Sequence, residues 1–171
     1  MDVFESILKR RSVRKFKKDP IPKEKIEKLK EALIWAPSAG NLQARKFYFI
    51  FNEKIKNEIY KAALNQNFIK EAPLVIVGCA NLEKIAPYGQ RGKEIYSICD
   101  VATAIENLML LATKENLGTC WVGAFDEEKV SEILNLKEKE KPIVILPVGF
   151  SNETPLPPQR EERRKIIKEI K

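Results

Sequence analysis

Histidine is absent from all 171 residues, and with it goes the commonest catalytic side chain. No Ser/His or Cys/His nucleophile pair, no imidazole acid or base and no ordinary His-containing zinc site can be assembled. Glycine is scarce: the seven present form neither GxGxxG nor GxxxxGK followed by Ser or Thr, so neither a Rossmann nor a P-loop cradle for phosphate is available. Any phosphate must therefore be held by arginines. The three cysteines, Cys79, Cys99 and Cys120, offer no CxxC pair and cannot all pair with one another. They lie in apolar runs and are expected to be reduced and buried. No apolar run approaches the ~20 residues needed to cross a bilayer, and Met1 to Arg11 lacks the apolar stretch of a secretory signal, so a cytoplasmic protein without a membrane partner is expected.

What is present suits one globular domain over residues 1–171, with 44% hydrophobic residues to build a core. Lys and Arg number 31 against 24 Asp and Glu, a net charge of +7. Most of it is lysine interleaved with glutamate between Pro22 and Glu31 and between Glu127 and Lys141. That is the pattern of a solvated helix face rather than a stripe for nucleic acid. The abundance of Lys and Glu is thermophile-like.

Arg10-Arg11-Ser12-Val13-Arg14 breaks the pattern by placing three guanidinium groups and a hydroxyl within five positions. A guanidinium presents a planar fork of donors that matches phosphate oxygens in pairs and stays charged at any physiological pH. The string reads as a phosphate grip or, alternatively, as a basic surface turn. Asp2 and Glu5 form a capping pair, and Val3, Phe4, Ile7 and Leu8 form one apolar stripe, so a short helix should deliver the arginines at its end.

Pro20 and Pro22 precede a second helix carrying Ile26, Leu29 and Leu33, stopped by Pro37, and a polar loop follows from Ser38 to Gln43. Strands are expected at Lys46 to Phe51, Leu74 to Ala80, Thr119 to Phe125 and Pro142 to Phe150, with helices at Glu53 to Leu64 and from about Glu127 to Leu134. From Lys93 to Asn116 no Gly or Pro interrupts, which predicts a helix roughly 36 Å long, apolar nearly all round through its middle. Covering so apolar a helix is easiest with two copies of the chain, so a homodimer is expected. Pro155, Pro157 and Pro158 predict an extended arm before a final basic helix from about Arg160. The whole spells an α+β sandwich with helices on both sides of a mixed sheet.

The ordered set RRSVRKF, APSAGNLQ (36–43), EAPLVIV (71–77), DVATAIENLMLLA (100–112), LGTCWVGAFD (117–126) and LPVGF (146–150) resembles the FMN-dependent nitroreductase family along essentially the whole chain. The resemblance implies a three-layer α/β/α sandwich with a mixed, mainly antiparallel sheet, and an obligate homodimer with FMN at the interface. By resemblance, Arg10, Arg11, Ser12 and Arg14 contact the phosphate and ribityl chain. Pro37, Ser38, Ala39, Asn41 and Gln43 form the loop that the partner subunit brings to the ring. Cys120, Trp121, Val122 and Gly123 lie along that ring, with the Gly123 backbone and Asn41 nearest the reacting N5. Gln66, in competition with Asn65 and Asn67, faces the flavin O2 edge, and Arg160, Arg163 or Arg164 supplies the C-terminal basic contact to phosphate. No side chain is expected to be catalytic and no metal is expected, since a flavin itself carries the chemistry. NADH or NADPH would donate electrons to a small electron-poor acceptor, a nitroaromatic or a quinone, by a ping-pong exchange.

Plainer readings stand beside these. Residues 37–41 also read as a helix-terminating turn. Cys120 invites a nucleophile reading but has no visible activator, so packing is favoured. Gly123 suits a bulge or the close approach of a flat ring. Asp100 could face a basic neighbour within its helix, Trp35 and Trp121 read as core residues, and Tyr88 as surface or lid. Three other functions compete: a specialised relative performing reductive dehalogenation or flavin breakdown, a flavin reservoir without turnover, and a basic protein that binds anionic partners.

Overall fold

The computed structural model describes residues 1–171. Four strands, β1 (Arg45–Ile50), β2 (Leu74–Asn81), β3 (Gly118–Thr119) and β4 (Glu140–Gly149), pair in the order β1-β2-β4-β3, every neighbour antiparallel. The expected mixed sheet is thus antiparallel in its named strands, and parallel pairing is confined to an isolated bridge between Ser12 and Thr119. Strand β2 shows why its sequence is continuously apolar. Side chains alternate across a strand, and here Leu74 and Ile76 join one core while Val75, Val77 and Cys79 join another.

The first core lies under α2 (Lys23–Ile34) and α6 (Ser97–Lys114), where Leu29, Leu33, Val101, Ile105 and Leu108 are buried. The second lies under α3 (Glu53–Ala62), α4 (Phe68–Glu71) and α7 (Glu127–Ile133), through Ile59, Ile69 and Val130. Helices cover both faces of the sheet. Residues Ala86–Lys114 form a helical stretch apolar and long enough to span a membrane by length and hydropathy. Its inward side chains pack on the sheet.

Several elements differ from the sequence expectation. The long helix runs regularly only from Ser97, for 18 residues, or about 27 Å. Before it come the short α5 (Gly89–Arg91) and a π-helical turn, Gly92–Tyr96. Thr119 to Phe125 is not a strand: pairing stops after Thr119 and resumes only in a bridge between Val122 and Ile145, so the segment peels off the sheet edge. The basic C-terminal helix shrinks to α8 (Arg163–Ile166), because nothing packs against its apolar side chains. Trp35 is 81% exposed and Trp121 38% exposed, so neither is a core residue. Cys79 and Cys120 are buried as expected, whereas Cys99 is exposed, since it sits on the outward face of α6.

Candidate functional site

The N-terminal helix α1 (Val3–Lys9) opens with the reciprocal Asp2/Glu5 capping box: the Glu5 N–H donates to Asp2 Oδ1 at 2.8 Å and the Asp2 N–H to Glu5 Oε2 at 3.0 Å. At Arg10 the chain leaves the helix and becomes extended. The Val13 N–H donates to the Thr119 carbonyl (2.9 Å), that of Lys17 to Phe150 (2.9 Å) and that of Asn152 to Lys15 (2.9 Å). Alternation in this extended stretch explains the spacing of the motif. Val13 turns inward onto Gly118, where an added Cβ would come within 2.7 Å of it, while Ser12 and Arg14 face a cavity.

That cavity, about 320 Å³, is lined by Arg10, Arg11, Ser12, Arg14 and Arg160 together with Pro155, Leu156 and Pro158. No carboxylate lines it. Arg11 also closes the end of α1, its Nη1 donating to the carbonyls of Leu8 (2.7 Å) and Arg10 (2.8 Å). Glu153 accepts the Arg14 backbone N–H at 2.5 Å. Of the C-terminal arginines, Arg160 reaches the cavity. Arg163 lies on exposed α8, and Arg164 pairs with Glu162 at 2.7 Å.

Below this corner Cys120 is 2% exposed. Burial pushes its thiol above the ordinary range, against the opposing pull of Arg14 and the Ser12 hydroxyl. A thiol held protonated is a poor nucleophile, which favours the packing role. Trp121 is partly exposed and Val122 buried, paired with Ile145 in both directions (2.9 and 3.0 Å). Gly123 is exposed; a Cβ there would meet nothing closer than Trp121 Nε1 at 3.6 Å. Gln66 donates to the carbonyls of Ala63 (3.0 Å) and Ala124 (3.4 Å), so it is fastened to the far end of this segment.

The loop Pro37–Gln43 is strained. Gly40, Asn41 and Gln43 all have positive φ, at 53°, 55° and 51°, a conformation that costs free energy outside glycine and collects at functional sites. Ser38 Oγ accepts the Gln43 N–H at 3.0 Å, and Gln43 Nε2 donates to Asn41 Oδ1 at 3.3 Å. Two residues that the motifs did not single out for this role hold the loop. Asp100, nearly fully buried, accepts the N–H groups of Ala39 (2.9 Å) and Ala44 (3.3 Å). Arg45 donates to the carbonyls of Pro37 (2.8 Å), Ala36 (2.5 Å), Ile34 (3.2 Å) and Asp100 (3.1 Å). Asp100 does not face a basic neighbour within its own helix. The signal for it was available: a carboxylate in the apolar run of α6 must find donors when buried. Glu153 left no comparable trace, because its partner is a backbone N–H.

The arginine corner and this loop lie at opposite ends of the sheet diagonal. Arg45 pairs with Ala80 and Ala80 with Lys141, whereas Thr119 pairs with Val148. The separation spans three strand spacings of about 4.8 Å across and about 23 Å along β4, hence more than about 25 Å. Within one chain Arg10, Arg11, Ser12, Arg14 and Arg160 line one cavity with Cys120 buried beside Ser12 and Arg14, Val122 continues along the sheet edge to Ile145, and 37–43 stand apart.

An antiparallel sheet covered on both faces, carrying an arginine-lined cavity at one corner and a strained polar loop at the other, defines an α+β protein with two candidate site corners. The chain matches the family described as the nitroreductase family over residues 7–75 and 61–150, and it belongs to that family. A nitroreductase family protein of Clostridium novyi, solved by crystallography, is 34% identical, with a TM-score of 0.82 over 90% of this chain and 87% of its own. A Thermus thermophilus NADH dehydrogenase is 26% identical over 195 aligned positions, covering 98% of this chain and 95% of the relative. An FMN reductase (NADPH) of Bacillus subtilis is 26% identical over 162 positions, 86% of this chain and 65% of the relative.

Proposed function

We propose that this chain is an FMN-dependent oxidoreductase that draws electrons from NADH or NADPH and passes them to small electron-poor acceptors such as nitroaromatics or quinones, by a ping-pong exchange. The observation that carries the reading is the cavity in which four arginines and a serine converge without a carboxylate. Such a donor set fits a phosphate dianion, and similarity to an FMN reductase supports FMN as its bearer. When bound, the flavin supplies hydride and electron transfer at its N5.

The residues of the chain do the rest. Arg10, Arg14 and Arg160 hold the phosphate with charge-assisted bonds, and Ser12 adds a neutral donor. Arg11 contributes the donors that α1 leaves free, and Arg163 stays outside. The segment Cys120–Gly123 offers a flat ring its backbone, and Gly123 leaves the approach open, since nothing in the chain itself requires a glycine there. Gln66, bonded to Ala124, steadies the end of that segment and would be the side chain to meet the ring's polar edge.

The functional unit in this reading is a homodimer, because one chain holds the grip and the Pro37–Gln43 loop too far apart to share one ligand. Support comes from an apolar face on α1, α2 and α6 that the chain leaves uncovered: Phe4 is 67% exposed, and Val3, Leu8 and Trp35 are exposed beside a groove of about 490 Å³. A second copy seated there would bring its own Ser38, Ala39, Asn41 and Gln43 to the ring. The test is direct. Protein purified and gel-filtered should be yellow, elute as a dimer, release FMN on denaturation, and oxidise NADH or NADPH with a nitrofuran or quinone present. A colourless chain that takes up no FMN on incubation refutes the proposal.

A further inference from the structure

Next to the loop Pro37–Gln43, the chain builds an aromatic and cationic wall that the phosphate grip does not use. Tyr88 sits against Gly40, where any added Cβ would strike the tyrosine hydroxyl, and against Gly92, where an added Cβ would come within 2.5 Å of the Tyr88 Cβ. Two glycines on separate segments thus make room for one tyrosine. Gly92 begins the π-helical turn that ends at Tyr96, a distortion common at functional sites. The Tyr96 ring meets that of Tyr88 edge to face, centroids 5.4 Å apart, and lines a cavity of about 230 Å³ with Pro37, Ser38 and Ala39. Arg91 lies over the Tyr96 ring at 5.7 Å and donates from Nε to its hydroxyl at 3.2 Å. No carboxylate pairs with Arg91, and its two terminal nitrogens make no hydrogen bond within the chain.

We propose that Tyr88, Tyr96 and Arg91 form the substrate-side wall of the site, and that Arg91 selects planar substrates carrying an anionic group, a carboxylate on the acceptor or the 2′-phosphate of NADPH. The inference rests on the reading of Pro37–Gln43 as the loop that faces the reacting ligand. Tyrosine faces accept a flat ring, and a guanidinium fixed through Nε keeps its outer edge free for a bidentate oxyanion contact. Lysine at this position would keep the charge and lose the fork.

The test uses oxidised, flavin-loaded protein without reductant, so that binding is read without turnover. Wild type, Arg91→Ala and Arg91→Lys are titrated calorimetrically with 4-nitrobenzoate and the neutral 4-nitrobenzamide, and separately with NADP+ and NAD+. Arg91→Ala should weaken 4-nitrobenzoate or NADP+ by about tenfold, leave the matching ligand without the extra charge within about twofold, and be rescued only in part by Arg91→Lys. A loss confined to 4-nitrobenzoate assigns the contact to the acceptor, one confined to NADP+ assigns it to the donor, and a loss in both assigns it to each in turn. Equal weakening of charged and neutral ligands, or no weakening of either charged ligand, overturns the assignment. A wild-type chain that binds no flavin overturns the underlying function as well, and the visible spectrum reveals that before any titration.

Discussion

The carboxylate of Asp100, on the first turns of α6, accepts the backbone N–H of Ala39 at 2.9 Å, fixing a loop 61 residues away in sequence. Its second oxygen takes the N–H of Ala44. Asp100→Ala leaves both donors without a partner inside the protein, at a cost of about 2–4 kcal/mol. Thermal unfolding should shift down by several degrees. With flavin loaded to saturation, acceptor reduction should fall further than that instability explains, because Ser38, Asn41 and Gln43 lose their positions. Asp100→Asn, whose amide can accept only one of the two N–H groups, should be intermediate. Equal activity in all three proteins would remove the loop from the site.

Replacing Arg10 and Arg14 together by alanine removes two charge-assisted contacts, worth on the order of 3 kcal/mol. FMN affinity measured by fluorescence titration should drop about 100-fold or more, while the melting of the flavin-free protein stays unchanged. Retention of full flavin content would reject the grip.

At Gly123 the chain can accept a methyl group without a clash. Gly123→Ala should therefore leave the stability of the flavin-free protein unaltered, yet weaken FMN binding by roughly tenfold, through contact with the ring rather than with the protein. Loss of stability with normal flavin affinity would make Gly123 a folding residue.

Two buried groups, Glu140 and Cys79, each make stability depend on pH. Burial tends to raise the Glu140 carboxyl, but hydrogen bonds from Lys46 (2.8 Å) and from the Tyr48 hydroxyl outweigh it, and the net displacement is downward. A lowered folded pKa contributes stability that is full above the unfolded value and disappears as pH falls through the folded one. Denaturant unfolding of Glu140→Gln should thus show a flatter acid limb below about pH 4.5. On the alkaline side, burial first, and then Glu140, push the Cys79 thiol from 9.0 up to about 12. A raised pKa favours the neutral form in the fold, so stability is intact below about pH 9 and declines as pH climbs toward 12. Cys79→Ala should remove that decline.

Thiol titration of the native protein should find Cys99 reactive, with Cys79 and Cys120 released only on unfolding, since both are buried with raised pKa values. Rapid modification of all three at neutral pH would contradict the packing.

Local patterns carried much of this protein in the sequence itself. The Asp2/Glu5 box, the doubly buried run of β2 and the proline boundaries each depend on neighbours a few residues away, so α1, α2, α3, α7, β1, β2 and β4 were legible with shifts of a few residues. The arginine cluster stood out by composition and by its place at the end of α1, whereas the extended backbone that turns Val13 inward and Ser12 and Arg14 toward the cavity was seen only in the fold. Tertiary structure decided the remainder. Cys120–Phe125 leaves the sheet because β4 offers it a partner only at Ile145. Trp35 stays exposed because no helix of the same chain covers α2 at that point, and an apolar side chain does not reveal whether its cover comes from its own chain or another. Asp100 binds Ala39 and Ala44 across the fold, and the diagonal between the Arg14 and Asn41 corners follows from strand order and register together. Long-range pairing sets both, so the distance between the two corners is a property of the fold, whereas the assignment of the loop to a partner copy was available in the sequence only as what the family resemblance implies.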